Sequence, residues 1–335
     1  MGACALAMSA LASRKLLQES LGPEGFGDAV VLTDNIAKDH AAFFQELGIR
    51  VIFSNLTELY RWSKYDSNAT YHSHHRAAFF KMRATTLKAG LAGLTDYRSI
   101  IYMDVDAYLF DSLPNPDPLA LLGKGNFEFA TKRCCADAPL SVGIFVMRPN
   151  QEGFEDLMRL LKTGFSAESG WGDQGLRIGP HGWPEIICKN HSRIPNLWDH
   201  AGSYCANNHT PRWDFIGAEG DKGLLFSEYA VIRTTFKSVE QSDFKGMLPA
   251  YNFFGKYKPW MPDTPCVDYT EADDLEFDFH PLSHIPEYWN LYQKYSRPFM
   301  INDSIKSPFK SFCVAALDKG LKAYNRCTST HEETA

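Results

Sequence analysis

The chain has 335 residues, longer than one typical domain, with 44% hydrophobic and 22% charged residues, a composition ordinary for a globular protein. Its formal net charge of −6 and the lack of any Lys/Arg-rich run remove the electrostatic basis for nucleic-acid binding. No apolar stretch is long enough to span a bilayer, so no transmembrane segment is expected.

From the N-terminus, Ala3 to Leu11 is apolar and small, like the middle of a signal peptide, but no positive charge precedes it and Arg14-Lys15 follow. A helix is expected instead, with Leu6, Leu11, Leu16, Leu17 and Leu21 on one broad face. Met1-Gly2 has the start of a myristoylation signal, yet Leu6 stands where Ser or Thr is wanted. Asp28 to Thr33 reads as a strand, and Asp34-Asn35 offers a helix cap. Ile36 to Leu47 reads as a helix closed by Gly48, followed by a strand from Ile49 to Phe53. Helix signals resume from about His74 to Leu94. This rhythm implies an α/β fold with a mostly parallel central sheet flanked by helices.

Next comes Ile100-Ile101-Tyr102-Met103-Asp104-Val105-Asp106, an apolar run that stops on two carboxylates one residue apart. A β-rich run of this length reads as a buried strand, and ligands of open α/β sheets bind outside the carboxyl ends of such strands. If the chain stays extended, Asp104 and Asp106 project to the same side. Two carboxylates so placed repel unless a cation sits between them, and Mg²⁺ or Mn²⁺ with a diphosphate is the usual solution. The bland reading is a strand end with two solvated acids.

Further strands are expected at Phe127 to Thr131 and Val142 to Arg148, then a helix from about Phe154 to Lys162. Residues from Gly164 to Asp221 are rich in Gly, Trp, Asn and His with little periodicity, which suggests loops that build a site. An acidic stretch around Asp273-Asp274, an aromatic segment from Tyr288 to Tyr295, and a last helix of about Phe309 to Ala323 complete the chain, before a frayed polar tail. The eight cysteines contain no CxxC, and the adjacent Cys134-Cys135 cannot easily bridge, so neither a zinc site nor a disulfide framework is expected. Asn-x-Ser/Thr triplets begin at Asn55, Asn68, Asn190, Asn208 and Asn302 and would permit glycosylation in a secretory compartment. Without a convincing signal peptide the cytoplasm is favoured, and a Golgi or secretory lumen stays open.

Four segments in order resemble the family 8 glycosyltransferases, the glycogenin-like group with a GT-A fold. Phe80-Lys81-Met82-Arg83 precedes the Asp104-Val105-Asp106 strand as that family's lysine helix does. Val142 to Asn150 looks like its "NSG" strand, and Gly172-Asp173-Gln174-Gly175 like its Asp-Gln motif. Phe254-Gly255-Lys256-Tyr257-Lys258-Pro259-Trp260 matches its G-x-x-K-P-W signature, the strongest single match. The resemblance implies a Rossmann-like GT-A domain over residues 1–260, its opening strand missing, and a C-terminal helix and loop extension over 261–335. It also implies a retaining, metal-assisted transfer of a hexose from a nucleotide-sugar donor, a UDP-sugar in the main, to a carbohydrate or protein hydroxyl.

By this similarity Asp104 and Asp106 hold Mn²⁺ (or Mg²⁺) against the donor diphosphate, Asp104 also lying near the ribose, with Val105 between them. Gly255 lets backbone approach the phosphates and Lys258 adds a point charge there. Lys81 does similar work or contacts the donor sugar; otherwise it is a solvated helix residue. Asp173 and Gln174 line the sugar pocket as the catalytic pair, Asp173 serving as nucleophile or stabilising an oxocarbenium charge, or else as a plain helix N-cap. Pro259-Trp260 has its own bland reading, a loop anchored by a buried indole.

Three departures stand out. Asn252 occupies the place of the family's third metal ligand, a His eight residues before the Trp, and an amide oxygen is a hard donor suited to Mg²⁺ or Ca²⁺. Ser141-Val142-Gly143 lacks the "NSG" amide that meets the sugar, and the resemblance implies that the chain begins in the helix after the base-binding strand and loop. They motivate a second reading, a catalytically impaired nucleotide-sugar-binding protein of the same fold. A third, a haloacid-dehalogenase-type phosphohydrolase, rests on Asp104 to Asp111, where the first Asp would be a nucleophile. That family has Gly-Thr where this chain has Ala107-Tyr108, and needs a later acidic pair at a strand end, whereas Asp273-Asp274 sits in a polar stretch.

Overall fold

A computed structural model describes residues 2–25, 28–33, 38–54, 75–114, 120, 122, 126–132, 140–166, 170–172, 218–239, 241–253, 258–260 and 285–332, with the backbone alone for 23–25, 75–82, 238, 241–242 and 327–332. In chain order its elements are α1 (Gly2–Gly25), β1 (Val30–Thr33), α2 (Lys38–Glu46), β2 (Arg50–Phe53), α3 (His75–Gly90), β3 (Ile100–Met103) and β4 (Ala107–Leu109). There follow β5 (Phe129–Lys132), β6 (Ile144–Met147), α4 (Gln151–Thr163), β7 (Phe165–Ser166), β8 (Gly170–Trp171) and α5 (Asp221–Phe226), which runs into a π-helical turn at Ser227–Ile232. The chain closes with β9 (Phe236–Val239), α6 (Gln241–Met247), β10 (Ala250–Asn252), α7 (Ile285–Leu291), a second π-turn at Tyr292–Ser296, α8 (Arg297–Met300) and α9 (Phe309–Glu332). The protein is mixed α/β and divides into two units. Unit 1 joins Met1–Ile52, Met103–Pro116 and Met247–Ala335; unit 2 joins Phe53–Tyr102 and Asp117–Gly246.

In unit 1, α1 is a core helix. Cys4, Ala5, Ala7, Met8 and Ala12 are fully buried, whereas Leu6, Leu17 and Leu21, expected on its inner face, are only half-buried. Small residues win that face because they let the helix lie close to β4. Ser9 and Ser13, one turn apart on α1, hydrogen-bond the β4 backbone: Ser9 Oγ donates to the Ala107 carbonyl, and Leu109 N donates to Ser13 Oγ at 3.3 Å. α1 breaks at Gly22, whose φ of 70° a Cβ would strain. Gly48 ends α2 as expected, with φ of 71°, and Arg14 donates to the Leu47 and Gly48 carbonyls at 3.1 and 3.0 Å.

Residues 285–332, placed by the sequence in an extension, belong to unit 1. α9 continues past Ala323 to Glu332, so the expected frayed tail is instead helical over that stretch; beyond Gly320 no Gly or Pro interrupts it. Arg297 grips Asp318 of α9 with two bonds of 3.0 and 3.2 Å, and Tyr292 donates to the same carboxylate at 2.8 Å. A disulfide links Cys4 of α1 to Cys313 of α9, with Cα atoms 5.1 Å apart, although no disulfide framework is expected from the cysteine spacing. Its partners lie 309 residues apart, so no local spacing could announce it.

Unit 2 holds the four-stranded sheet, ordered β3-β6-β5-β9. β5 pairs antiparallel with β6, Phe129 opposite Met147, and parallel with β9, Phe129 opposite Phe236. Among the described residues the strands form small sheets in which some pairs are parallel and others antiparallel, a coarser arrangement than the expected mostly parallel central sheet. The reason is connection type: β6 returns directly alongside β5, while the β5-to-β9 path contains α4 and α5 and can cross over. Asn150 caps α4, its Oδ1 accepting from Gly153 N at 2.7 Å. Lys88 of α3, nearly buried, donates to the Val142 carbonyl at 2.9 Å and pairs with Asp221 at 2.5 Å. No helix among the described residues is long and apolar enough to cross a membrane.

Candidate functional site

The Asp104-Val105-Asp106 segment does not stay extended. β3 ends at Met103, and Ala107 N donates to the Asp104 carbonyl at 2.9 Å, which closes a four-residue turn before β4 begins. The alternation argument for the two carboxylates therefore lapses, because the period of two belongs to strands alone. Val105 stands at the exposed tip, and Asp104 and Asp106 are half-buried.

Three backbone contacts fix this turn. β4 pairs antiparallel with β10 in a register that sets Asn252 opposite Ala107. Phe253 N donates to the Asp106 carbonyl at 2.8 Å, extending that ladder by one rung. The remaining edge of β4 meets Ser9 and Ser13 as described above. Neither serine was singled out in the sequence; their spacing of four within an apolar run was the available signal.

Lys258 then reaches the turn from beyond the end of β10. Its ammonium donates to Asp106 Oδ2 and to the Phe253 carbonyl, so one cation bridges the acidic turn and the end of β10. The pair is partly shielded, with 15% of the Lys258 side chain and 22% of the Asp106 side chain exposed, so water does not fully screen it. Trp260 anchors this segment. It is buried edge-on against Phe253 at 6.2 Å and tilted against Tyr288 at 5.5 Å, while Phe253 stacks on Tyr108 at 5.5 Å. The bland reading of Pro259-Trp260 as a loop held by a buried indole thus holds, and the anchor is also what aims Lys258. Burial lifts the Tyr108, Tyr251 and Tyr288 phenols well above their ordinary range, and nearby Glu287 adds to the effect at Tyr108. They stay neutral packing groups at any physiological pH.

Of the expected site residues, the structure brings together Asp104, Val105, Asp106, Asn252 and Lys258, all in unit 1. Asn252 is buried on β10. Lys81 lies on the backbone of α3 in unit 2, while Asp173, Gln174 and Gly255 fall outside the described residues. Among described residues no group of three His, Cys, Asp or Glu side chains forms a metal cluster. The donor set here is different: two carboxylates and one amide, all hard oxygens, which fit a divalent Mg²⁺ or Mn²⁺ by chemistry. A cation already satisfies one of them, since the Lys258 ammonium rests on Asp106.

The chain matches no protein-family model and no curated protein. Site chemistry alone therefore carries the functional argument.

Unit 2 contains a second charged cluster. Arg233 donates to Glu128 at 2.8 and 3.2 Å, to Glu152 at 3.2 Å and toward Asp156 at 3.5 Å, and lies 3.8 Å from Glu228. Glu228 sits in the π-turn, fully buried, and its carboxylate has no hydrogen-bond partner among the described residues. Burial, reinforced by the Asp156 charge, pushes its pKa up to about 8, against the weaker opposing pull of Arg233.

Proposed function

We propose that the chain is a retaining glycosyltransferase that moves a hexose from a nucleotide-sugar donor, a UDP-sugar in the main, to a hydroxyl acceptor. This reading carries with it the GT-A, Rossmann-like arrangement that the ordered motifs suggest. The observation that supports it is the bridge from Lys258 to Asp106, which joins two motifs 152 residues apart in one place. A bound Mn²⁺ or Mg²⁺, held by Asp104, Asp106 and Asn252, would supply Lewis-acid stabilisation to the departing diphosphate.

The chain's own residues have separate work. Asp106 and Lys258 neutralise each other without a ligand, so a partly shielded carboxylate is not left uncompensated. An incoming diphosphate offers the Lys258 ammonium a second anion, and its flexible stem allows the transfer. By the resemblance, Gly255 and Lys81 would have phosphate or sugar contacts and Asp173 with Gln174 a role at the sugar; Gly255, Asp173 and Gln174 lie outside the described residues. Asn252, standing where the resembled family has His, favours a second reading, a nucleotide-sugar-binding protein with impaired turnover.

A panel of nucleotide sugars, incubated with Mn²⁺, Mg²⁺ or a chelator, separates the two readings. Metal-dependent release of nucleoside diphosphate is expected, and its abolition by chelator. Nucleotide binding without release would leave the binder; neither binding nor release would remove both.

A further inference from the structure

We propose that Asn302 is an N-glycosylation acceptor and that the chain matures in an oxidising lumen. Two observations in unit 1, unrelated in their chemistry, point to the same environment. The first is the Cys4–Cys313 disulfide, whose two residues are fully buried and which ties the two ends of the chain together. Such bonds persist in secreted and lumenal proteins and are rare where glutathione keeps thiols reduced. The second is the triplet Asn302-Asp303-Ser304, which lies wholly exposed in the turn between α8 and α9.

That turn presents the side chain an acceptor needs. Asn302 N donates to the Phe299 carbonyl at 3.2 Å, and Ile305 N donates to the Asn302 carbonyl at 3.1 Å, so the backbone of the triplet is held. Lys310 Nζ donates to the same carbonyl at 2.7 Å. Ser304 N donates to Asn302 Oδ1 at 3.0 Å, which orients the amide with its oxygen inward along the turn and its nitrogen away from it. The triplets at Asn55, Asn68, Asn190 and Asn208 fall outside the described residues, so Asn302 is the one whose surroundings support an assignment.

The modification balances simply. Asn302 Nδ2 attacks C1 of the first sugar of a polyprenyl-diphosphate-linked oligosaccharide. The N–C bond forms as the C1–O bond to phosphate breaks, polyprenyl diphosphate leaves with the electron pair, and Nδ2 gives up one proton. For the crosslink, the Cys4 and Cys313 thiols lose two protons and two electrons to the disulfide of a thiol oxidoreductase, which becomes a dithiol. Neither step depends on the sugar-transfer reading of Asp106 and Lys258.

The test recovers the full chain from the cells that make it and maps its peptides without prior reduction. A glycan on the Asn302 peptide and a Cys4 peptide linked to a Cys313 peptide are expected. In the same cells, Asn302→Gln and Ser304→Ala each remove one glycan step in mobility, while Ser304→Thr keeps it. An unmodified Asn302 peptide, or Cys4 and Cys313 thiols that alkylate without reductant, would overturn the proposal.

Discussion

In unit 1 Lys258 pairs with Asp106 beside a turn whose tip residue Val105 stands in solvent. In unit 2 Arg233 lies within reach of four, from Glu128, Glu152, Asp156 and Glu228, and only 13% of its side chain is exposed. The lysine is a point charge on a flexible stem, so another anion can draw its ammonium away from Asp106. The arginine has a planar fork fixed by several bonds at once, and no ligand could displace it cheaply. One cluster is arranged for exchange and the other for hold. Substitutions at the two should therefore fail differently.

The largest effect falls on the exchangeable site. Asp106→Asn keeps the shape and removes the charge that pairs with Lys258 and, in the proposed reading, with the metal. Metal-dependent release of nucleoside diphosphate should drop at least about 100-fold, the scale of removing one preorganised charge-stabilising group, with the fold retained. Undiminished turnover would remove the turn from the chemistry.

Arg233→Met should do the reverse, costing stability and leaving Asp106 untouched. Loss of the cation leaves Glu128 partly buried without its two bonds to Arg233, while Asp156 keeps Arg159 at 2.5 Å; the penalty is on the order of 3–5 kcal/mol for breaking such a pair. Hydrogen exchange of β5 amides measures it directly. Protection lost by less than about 1 kcal/mol would place the cluster with ordinary surface pairs.

Glu228 sharpens the same contrast through pH. Its folded pKa of about 8 lies above the ordinary 4.5, so the folded state binds the proton more tightly than the unfolded chain does. The contribution of Glu228 to the stability of unit 2 is therefore fully present below about pH 4.5, is lost as pH rises, and levels off beyond about pH 8. Glu228→Gln removes this slope. It should raise stability by about 1 kcal/mol or less at pH 5 and by up to about 5 kcal/mol at pH 9, at about 1.4 kcal/mol per pH unit between 4.5 and 8. Urea unfolding at the two pH values decides; parallel shifts at both would mean that burial does not hold the proton.

Much of this architecture was readable from residues alone, and the gaps have physical causes. Gly48 and the segments around β2, β5, β6 and α4 lie where capping and periodicity put them, because these are local signals. The Asp104–Asp106 turn was missed since Asp-Val-Asp can be written on a strand or a turn, and only the long-range β10 pairing selects the turn. Arg233, Lys88 and Glu228 were not foreseen because a charged residue looks solvated until its partners, often a hundred residues away, are known.

The smallest effect tests whether the α1 serines serve the site or only the fold. Ser9→Ala deletes a buried hydrogen bond to the Ala107 carbonyl, and Ser20→Ala deletes one that Leu113 N donates at 2.7 Å. Each should cost about 1 kcal/mol, the usual net worth of one such bond plus the group left unpaired. Stability alone cannot separate them. Position can: Ala107 adjoins Asp106, whereas Leu113 lies four residues beyond the end of β4. Ser9→Ala should therefore raise the Mn²⁺ concentration needed for half-maximal nucleotide release, and Ser20→Ala should not. Equal shifts in both variants would show that α1 supports unit 1 as a whole and gives the acidic turn no special aim.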